Sequence, residues 1–235
     1  MKNPALLEEI KTYKGRDEVP TDFDSFWDQA LANLAELPEY KLEEQDFSIP
    51  NVVCYELTFK GARDGLVYAR VVIPKTDQKI PVIFHFHGYM GRCWDWTDML
   101  AYTAAGYGVV SMDVRGQSGY STDGDRSPVG NTVKGQIIRG AVEGPHELFY
   151  KDVYLDLYQL IEIVASFPQV DDSKFASYGA SQGGALALVA AGLNPRIRQT
   201  VAIYPFLSDF RRVLEIGNTS EAYDELFRYF KFHDP

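Results

Sequence analysis

The stretch Phe175-Ala176-Ser177-Tyr178-Gly179-Ala180-Ser181-Gln182-Gly183-Gly184 decides how the rest of this chain is read. It opens as a short apolar run of strand type and turns on a Gly-x-Ser-x-Gly pentapeptide, Gly179 to Gly183. It then enters the alanine-rich Gly184 to Ala191, whose composition is helical. A strand-to-helix turn this sharp lifts its central side chain clear of the sheet. The flanking glycines let helix and neighbouring strand backbones approach closely. Ser181 is therefore the candidate nucleophile.

Working outward, apolar strand-like runs alternate with helical patterns. Residues 20–36 carry Phe23, Phe26, Trp27, Ala30, Leu31 and Leu34 at helical spacing behind Pro20 and a Thr21 or Asp22 cap. Val52–Phe59 and Val67–Ile73 alternate as strands around a Gly61–Gly65 turn. Ile80–Phe86 and Gly108–Met112 read as buried strands, with a helix over Trp96–Ala105 between them. A loop rich in glycine and polar residues, from about Arg115 to Gly144, precedes a long amphipathic helix over Leu148–Phe167. A strand at Thr200–Tyr204 follows the serine, and 208–216 and 219–231 read as helices able to form a lid. This alternation predicts an α/β fold, one domain over residues 1–235 with a mostly parallel sheet between helical layers.

The chain has 235 residues, 46% of them apolar and 24% charged, and a net charge of −10. That is the balance of a globular domain able to bury a sizeable core. No Lys/Arg-rich run is present, so nucleic acid and anionic membrane surfaces are not expected partners. No apolar run is long enough to span a membrane, and Met1 to Lys14 carry no apolar leader pattern. Two cysteines, Cys54 and Cys93, fit reduced thiols in the cytoplasm rather than a disulfide framework or a metal site. With neither a Gly-x-Gly-x-x-Gly nor a Walker lysine motif, no nucleotide cofactor is expected, and no metal.

A serine hydroxyl needs a base, the base needs an orienting partner, and the developing oxyanion needs preorganised N–H donors. One donor is the amide after the nucleophile, Gln182. The other belongs to the loop after an early strand, where His87-Gly88-Tyr89 follows Ile80–Phe86, so the Tyr89 amide is the candidate. The base is harder to place. Beyond Ser181 the acids include Asp209, Asp224 and Asp234, the histidine is His233, and no strand follows Tyr204 to present them. His85 and His87 suit packing or loop fixing, and His146-Glu147 suits local capping. Asp113 suits backbone support at a strand end.

The motifs together resemble the acetyl xylan esterase/cephalosporin-C deacetylase family, carbohydrate esterase family 7 of the α/β-hydrolases. The matching segments are Val114-Arg115-Gly116-Gln117, Gly179 to Gly184, His87-Gly88-Tyr89, Tyr150 to Asp156 and Tyr204-Pro205-Phe206-Leu207. They span nearly the whole chain. The resemblance implies a three-layer α/β-hydrolase sandwich, Ser181 as nucleophile, and the amides of Tyr89 and Gln182 as oxyanion donors. It further implies an acyl pocket near Tyr89, Pro205 and Phe206, sized for small acetylated substrates such as xylo-oligosaccharide acetates and cephalosporin C. A homo-oligomer, a hexamer by family likeness, is implied too. The family's catalytic aspartate and the histidine of its His-Glu motif fall in a C-terminal part not matched here. His146-Glu147 precedes the serine and cannot stand in for it. The expectation is a domain lacking its last strands and helices, about 80–90 residues, so that residues 1–235 alone are inactive. The alternative is a non-catalytic domain that binds esters or assembles with partners. Arg115 and Gln117 are expected to brace loops, and Trp94, Trp96 and Phe206 either line a sugar cleft or pack in core and subunit contacts.

Overall fold

A computed structural model describes residues 4–124, 134–217 and 223–233. Helices α1 (Pro4–Thr12) and α2 (Phe23–Ala32) lead into strands β1 (Tyr40–Gln45), β2 (Val52–Lys60), β3 (Leu66–Pro74) and β4 (Ile80–Phe86). Then come α3 (Trp96–Ala104), β5 (Gly108–Met112), α4 (Phe149–Ala165), β6 (Val170–Ala180), α5 (Gln182–Leu193) and β7 (Ile197–Ile203). Two short helices, α6 (Phe210–Ile216) and α7 (Asp224–Phe230), close the described chain. The strands form one sheet of order β1-β2-β3-β5-β4-β6-β7. β1, β2 and β3 pair antiparallel with their neighbours, while β5, β4, β6 and β7 run parallel. With helices against both faces, this is the three-layer sandwich of an α/β-hydrolase.

The central strands explain themselves. All five residues of β5 are buried, as is most of β4, because a parallel strand covered on both faces needs a near-continuous apolar run. One large core, from Leu57 and Val71 through Phe84, Phe86 and Phe175 to Leu186, unites sheet, α4 and α5. α4 buries Val153, Leu157, Leu160, Ile161 and Val164. Since a side chain buried this fully is worth roughly 1.5–3 kcal/mol, this helix is a main anchor of its layer.

Two elements escape the sequence pattern. β1, Tyr-Lys-Leu-Glu-Glu-Gln, buries no residue and exists through pairing with β2 from Tyr40↔Phe59 to Gln45↔Cys54. Its charges suit an outer strand, where they discourage edge-to-edge association. α1 leaves Ile10 54% exposed, so no buried stripe marks it. At the other end of the sheet β7 has no further strand beside it among the described residues, and Val201 is 54% exposed. Boundaries elsewhere shift by a few residues. The predicted strand end Tyr204 stands outside β7 at φ 34°, and part of the helix predicted over 219–231 lies outside the described residues.

Candidate active site

Four parallel strands deliver their C-terminal ends to one place, the position where open α/β sheets bind ligands. β6 ends at Ala180, β4 leads into His87–Gly91, β5 into Asp113–Gln117, and β7 into Tyr204–Phe206. Ser181 stands between β6 and α5 with φ 57° and ψ −122°. A non-glycine residue there stores roughly 1–3 kcal/mol of strain, which persists only if the surroundings over-determine it. They do. The Ser181 amide donates to the Ile203 carbonyl at 3.0 Å, and the Ser181 carbonyl accepts from the Ala185 amide at 3.2 Å and the Phe206 amide at 2.9 Å. Met90 and Tyr204, in the adjoining loops, also have positive φ.

The elbow glycines are required by contact. A Cβ on Gly183 would strike the Phe86 carbonyl, and one on Gly179 would strike the Gly183 backbone. The first turn of α5 thus lies directly on the ends of β4 and β6. The N-terminus of α5 points its unpaired N–H groups and positive dipole end at the space beside Ser181. Among the described residues, the main-chain N–H groups of Tyr89 and Gln182 donate to no other protein group.

Beneath the elbow a buried amide pair joins the two loops. Gln117 Nε2 donates to Gln182 Oε1 at 2.8 Å, and Gln182 Nε2 returns a bond to Gln117 Oε1 at 3.2 Å. Gln117 Oε1 also accepts the Met90 amide at 2.9 Å, and Gln182 Oε1 accepts the Tyr150 hydroxyl at 2.7 Å. Both glutamines are 0% exposed. Breaking one side would strand buried amide groups, at about 1–3 kcal/mol for each unsatisfied group. Sequence reading assigned Gln117 to loop bracing; its pairing with Gln182 was not visible, because the partners stand in loops after different strands.

The histidines have other partners. His85 stacks on Trp94 with centroids 3.6 Å apart and shares a 2.8 Å hydrogen bond with Ser111. Burial pushes its pKa down to about 3, with His87 adding to the shift. His87 Nε2 accepts the Val114 amide at 2.9 Å, so its Nδ1 carries the proton given to the Gly88 carbonyl at 2.7 Å. Burial lowers its pKa as well. His233 is exposed and stacks on Tyr229. His146 does not cap α4, contrary to expectation: it packs against Phe26, 4.9 Å between centroids, and Glu147 pairs with Arg63 at 2.6 Å. The first amides of α4 find main-chain acceptors instead: Phe149 donates to the Arg139 carbonyl at 3.1 Å and Lys151 to the Leu148 carbonyl at 3.0 Å.

The acids are likewise engaged. Asp209 caps α6 by accepting the Arg212 amide at 3.2 Å, and it also accepts the Tyr13 hydroxyl. Asp224 lies 3.8 Å from Arg228, and Asp234 is outside the described residues. Asp113 accepts the Cys93 amide at 2.5 Å and the Tyr120 amide at 2.7 Å, fixing the loops after β4 and β5. Arg115 is fully buried and grips Asp156 through Nε at 2.7 Å and Nη2 at 2.6 Å, so the Arg-Gly-Gln segment is tied to α4. Trp94 lies stacked against His85 and Tyr102, and Trp96 lies under Arg70 and beside Phe47. Both therefore pack on the side of the sheet that carries α3. Phe206 is 5% exposed and faces Tyr89 at 5.8 Å and Tyr223 at 4.6 Å. Pro205 approaches Gly184 beside the elbow.

Cavity size does not locate this chemistry. A 660 Å³ hollow between α2 and α5 and a 360 Å³ hollow between α2 and α4 are lined by Trp27 and Tyr154, not by Ser181. Among the described residues no cluster of His, Cys, Asp and Glu could hold a metal ion, and no helix is long and apolar enough to cross a membrane.

Comparison with known proteins agrees with the fold. Acetyl xylan esterase 1 from Thermoanaerobacterium sp. is 41% identical, with a TM-score of 0.90, over 97% of this chain and 72% of that one. The acetyl xylan esterase from Paenibacillus sp. R4 is 34% identical, with a TM-score of 0.87, over 97% and 73%. Acetyl esterase Axe7A of Xylanibacter ruminicola is 28% identical over 83% of this chain, which spans 46% of that relative's length. The acetyl xylan esterase (AXE1) family model matches residues 1–235, and the chain belongs to that family.

Proposed function

We propose that this chain carries the nucleophile and oxyanion half of a serine esterase that removes acetyl groups from small substrates, acetylated xylo-oligosaccharides and cephalosporin C among them. The observation that carries this reading is Ser181 held at positive φ beside two uncommitted amides, Tyr89 and Gln182. Ser181 Oγ attacks the ester carbonyl carbon as a base takes its proton, and the amides receive the negative oxygen. The carbon–oxygen bond to the sugar breaks and the alcohol leaves with that proton. Water then attacks the acetyl-serine, releasing acetate and restoring the hydroxyl.

The base is the remaining element. None of the described histidines hydrogen-bonds to Ser181. We assign base and orienting acid to the part of the solved relatives that residues 1–235 leave unmatched, 28% of one chain by difference from the 72% covered (100 − 72). Tyr89, Pro205 and Phe206 form the acyl-side wall in this reading, and Trp94 and Trp96 take no part in substrate binding. Oligomeric assembly, by likeness to the family's hexamers, and a cytoplasmic setting belong to the same proposal.

The test is acid-quenched turnover of p-nitrophenyl acetate by the natural polypeptide. An acetyl group on the peptide containing Ser181, absent in Ser181→Ala, is the expected result. Steady hydrolysis with no adduct under conditions that accumulate acyl-enzymes elsewhere, or no hydrolysis at all, would refute it; saturable ester binding without turnover would point to a binding protein.

A further inference from the structure

Helix α7 reaches into the site through one carboxylate. Glu225 Oε1 accepts the Tyr89 hydroxyl at 2.7 Å and the Ile137 amide at 3.3 Å, and Glu225 Oε2 accepts the Gly135 amide. Gln136, between those amides, accepts from the same phenol through its side-chain Oε1 at 2.8 Å and donates its main-chain N–H to the phenol oxygen at 3.3 Å. One side chain thus joins α7, the 135–137 loop and the loop after β4. Burial and the neighbouring Glu225 charge both hold the Tyr89 phenol in its protonated, donating form. Two residues before Glu225, Tyr223 packs on Phe206, and Phe206 packs on Tyr89. The beginning of α7 therefore supports the Tyr89–Phe206 wall at both ends. Phe206 is itself fixed to the Ser181 carbonyl through its amide.

We propose that Glu225 is a positioning residue that sets acyl-chain length, by fixing the Tyr89 ring as the wall of the acyl pocket beside Ser181. The inference rests on the esterase reading above. A phenol held by a carboxylate, a side-chain amide and a neighbouring ring cannot swing aside for a longer acyl chain. A Tyr89 without these bonds can, since a half-buried ring that no hydrogen bond holds is free to change rotamer. Leu226, 5% exposed and part of the core, keeps α7 docked when Glu225 is removed.

The experiment compares p-nitrophenyl acetate with p-nitrophenyl butyrate for the natural polypeptide and for Glu225→Ala, Glu225→Gln and Tyr89→Phe. In Glu225→Ala and Tyr89→Phe the acetate-to-butyrate ratio of kcat/KM falls about tenfold, the scale of discrimination set by pocket methylenes. The change lies in KM more than in kcat. The double variant falls no further than either single one, because both remove the same bond. Glu225→Gln, whose amide carbonyl still accepts from the phenol, retains most of the ratio. An unchanged ratio in Tyr89→Phe with native circular dichroism overturns the proposal, as does an equal loss on both esters. Should the wild type hydrolyse neither ester, the esterase reading fails. The Glu225 tie is then read by hydrogen exchange: faster exchange in 86–91 and 135–138 together in Glu225→Ala supports it, and unchanged exchange refutes it.

Discussion

The floor of the site and its roof are held by different physics. The floor, made of the elbow, the loop after β4 and the Gln117–Gln182 pair, is fixed by buried hydrogen bonds and by contacts that only glycine permits. The roof of the proposed site, where α7 meets Tyr89, leans on the half-buried Glu225 and on the packing of Leu226 and Tyr223, while α6 beside it holds to the N-terminal segment through exposed pairs such as Arg16–Glu215, whose side chains are 47% and 43% exposed. Exposed pairs contribute roughly 0–1 kcal/mol each, whereas a buried polar network costs several times that when broken. A reaction needs its donors held to within a few tenths of an ångström; a selective entrance needs only to be held against the substrates it excludes. In the proposed reading, chemistry belongs to the floor and selectivity to the roof.

The sharpest way to break the comparison is to change the floor. Ser181→Ala removes the proposed nucleophile, and esterase kcat should fall by about 10⁴-fold or more while the melting temperature stays nearly constant, because alanine keeps the Cβ and with it the backbone strain at positive φ. A Ser181→Ala enzyme that retains ordinary turnover would dissolve the distinction. Gly183→Val drives a branched side chain into the Phe86 carbonyl. The expected loss exceeds about 3 kcal/mol in urea unfolding or prevents folding, since backbone cannot yield as a side-chain tip can.

Gln117→Ala sharpens it. Stability should fall by about 1–3 kcal/mol as buried amide partners are stranded. Turnover should fall about tenfold to a hundredfold through kcat with little change in KM, because Met90, next to the Tyr89 donor, loses its tether. A change confined to KM would place Gln117 in binding instead.

How much of this was legible in the sequence differs between the same two regions. The elbow showed in residues 175–191 because a glycine pair, a serine and a switch from strand to helical composition are local signals. The loop proposed to hold the oxyanion stood out because His87-Gly88-Tyr89 directly follows a strand. Glu225 did not show: it is one acid among many in a helical stretch, and its partners Tyr89, Gly135 and Ile137 are distant in sequence. β1 was missed because an outer strand owes its state to its neighbour, not to its own pattern. Misreading His146 as a cap came from position alone, whereas its contact with Phe26 is tertiary.

A smaller effect separates core from surface by pH. His85 is neutral in the folded protein, its pKa lowered to about 3 by burial, and ordinary when unfolded. Its contribution is present above pH 6.5 and is lost as pH falls toward 3, because the unfolded chain binds a proton that the folded one refuses. At about 1.4 kcal/mol per pH unit, moving from pH 7.5 to 5 should cost about 2 kcal/mol more in the wild type than in His85→Gln. Equal pH slopes in urea unfolding would show that His85 is charged or solvated in the native state. The smallest effect belongs to α6, beside the roof: Arg16→Ala should shift unfolding by less than about 1 kcal/mol, and a larger loss would mean that α6 is a structural part of the floor.

The most direct test of the central claim is labelling of the natural polypeptide with a fluorophosphonate, which reacts only with an activated serine. The account predicts one phosphonylated site, Ser181, mapped by peptide mass, lost in Ser181→Ala and strongly slowed in Gln117→Ala. No label, or a label on another serine, would contradict it.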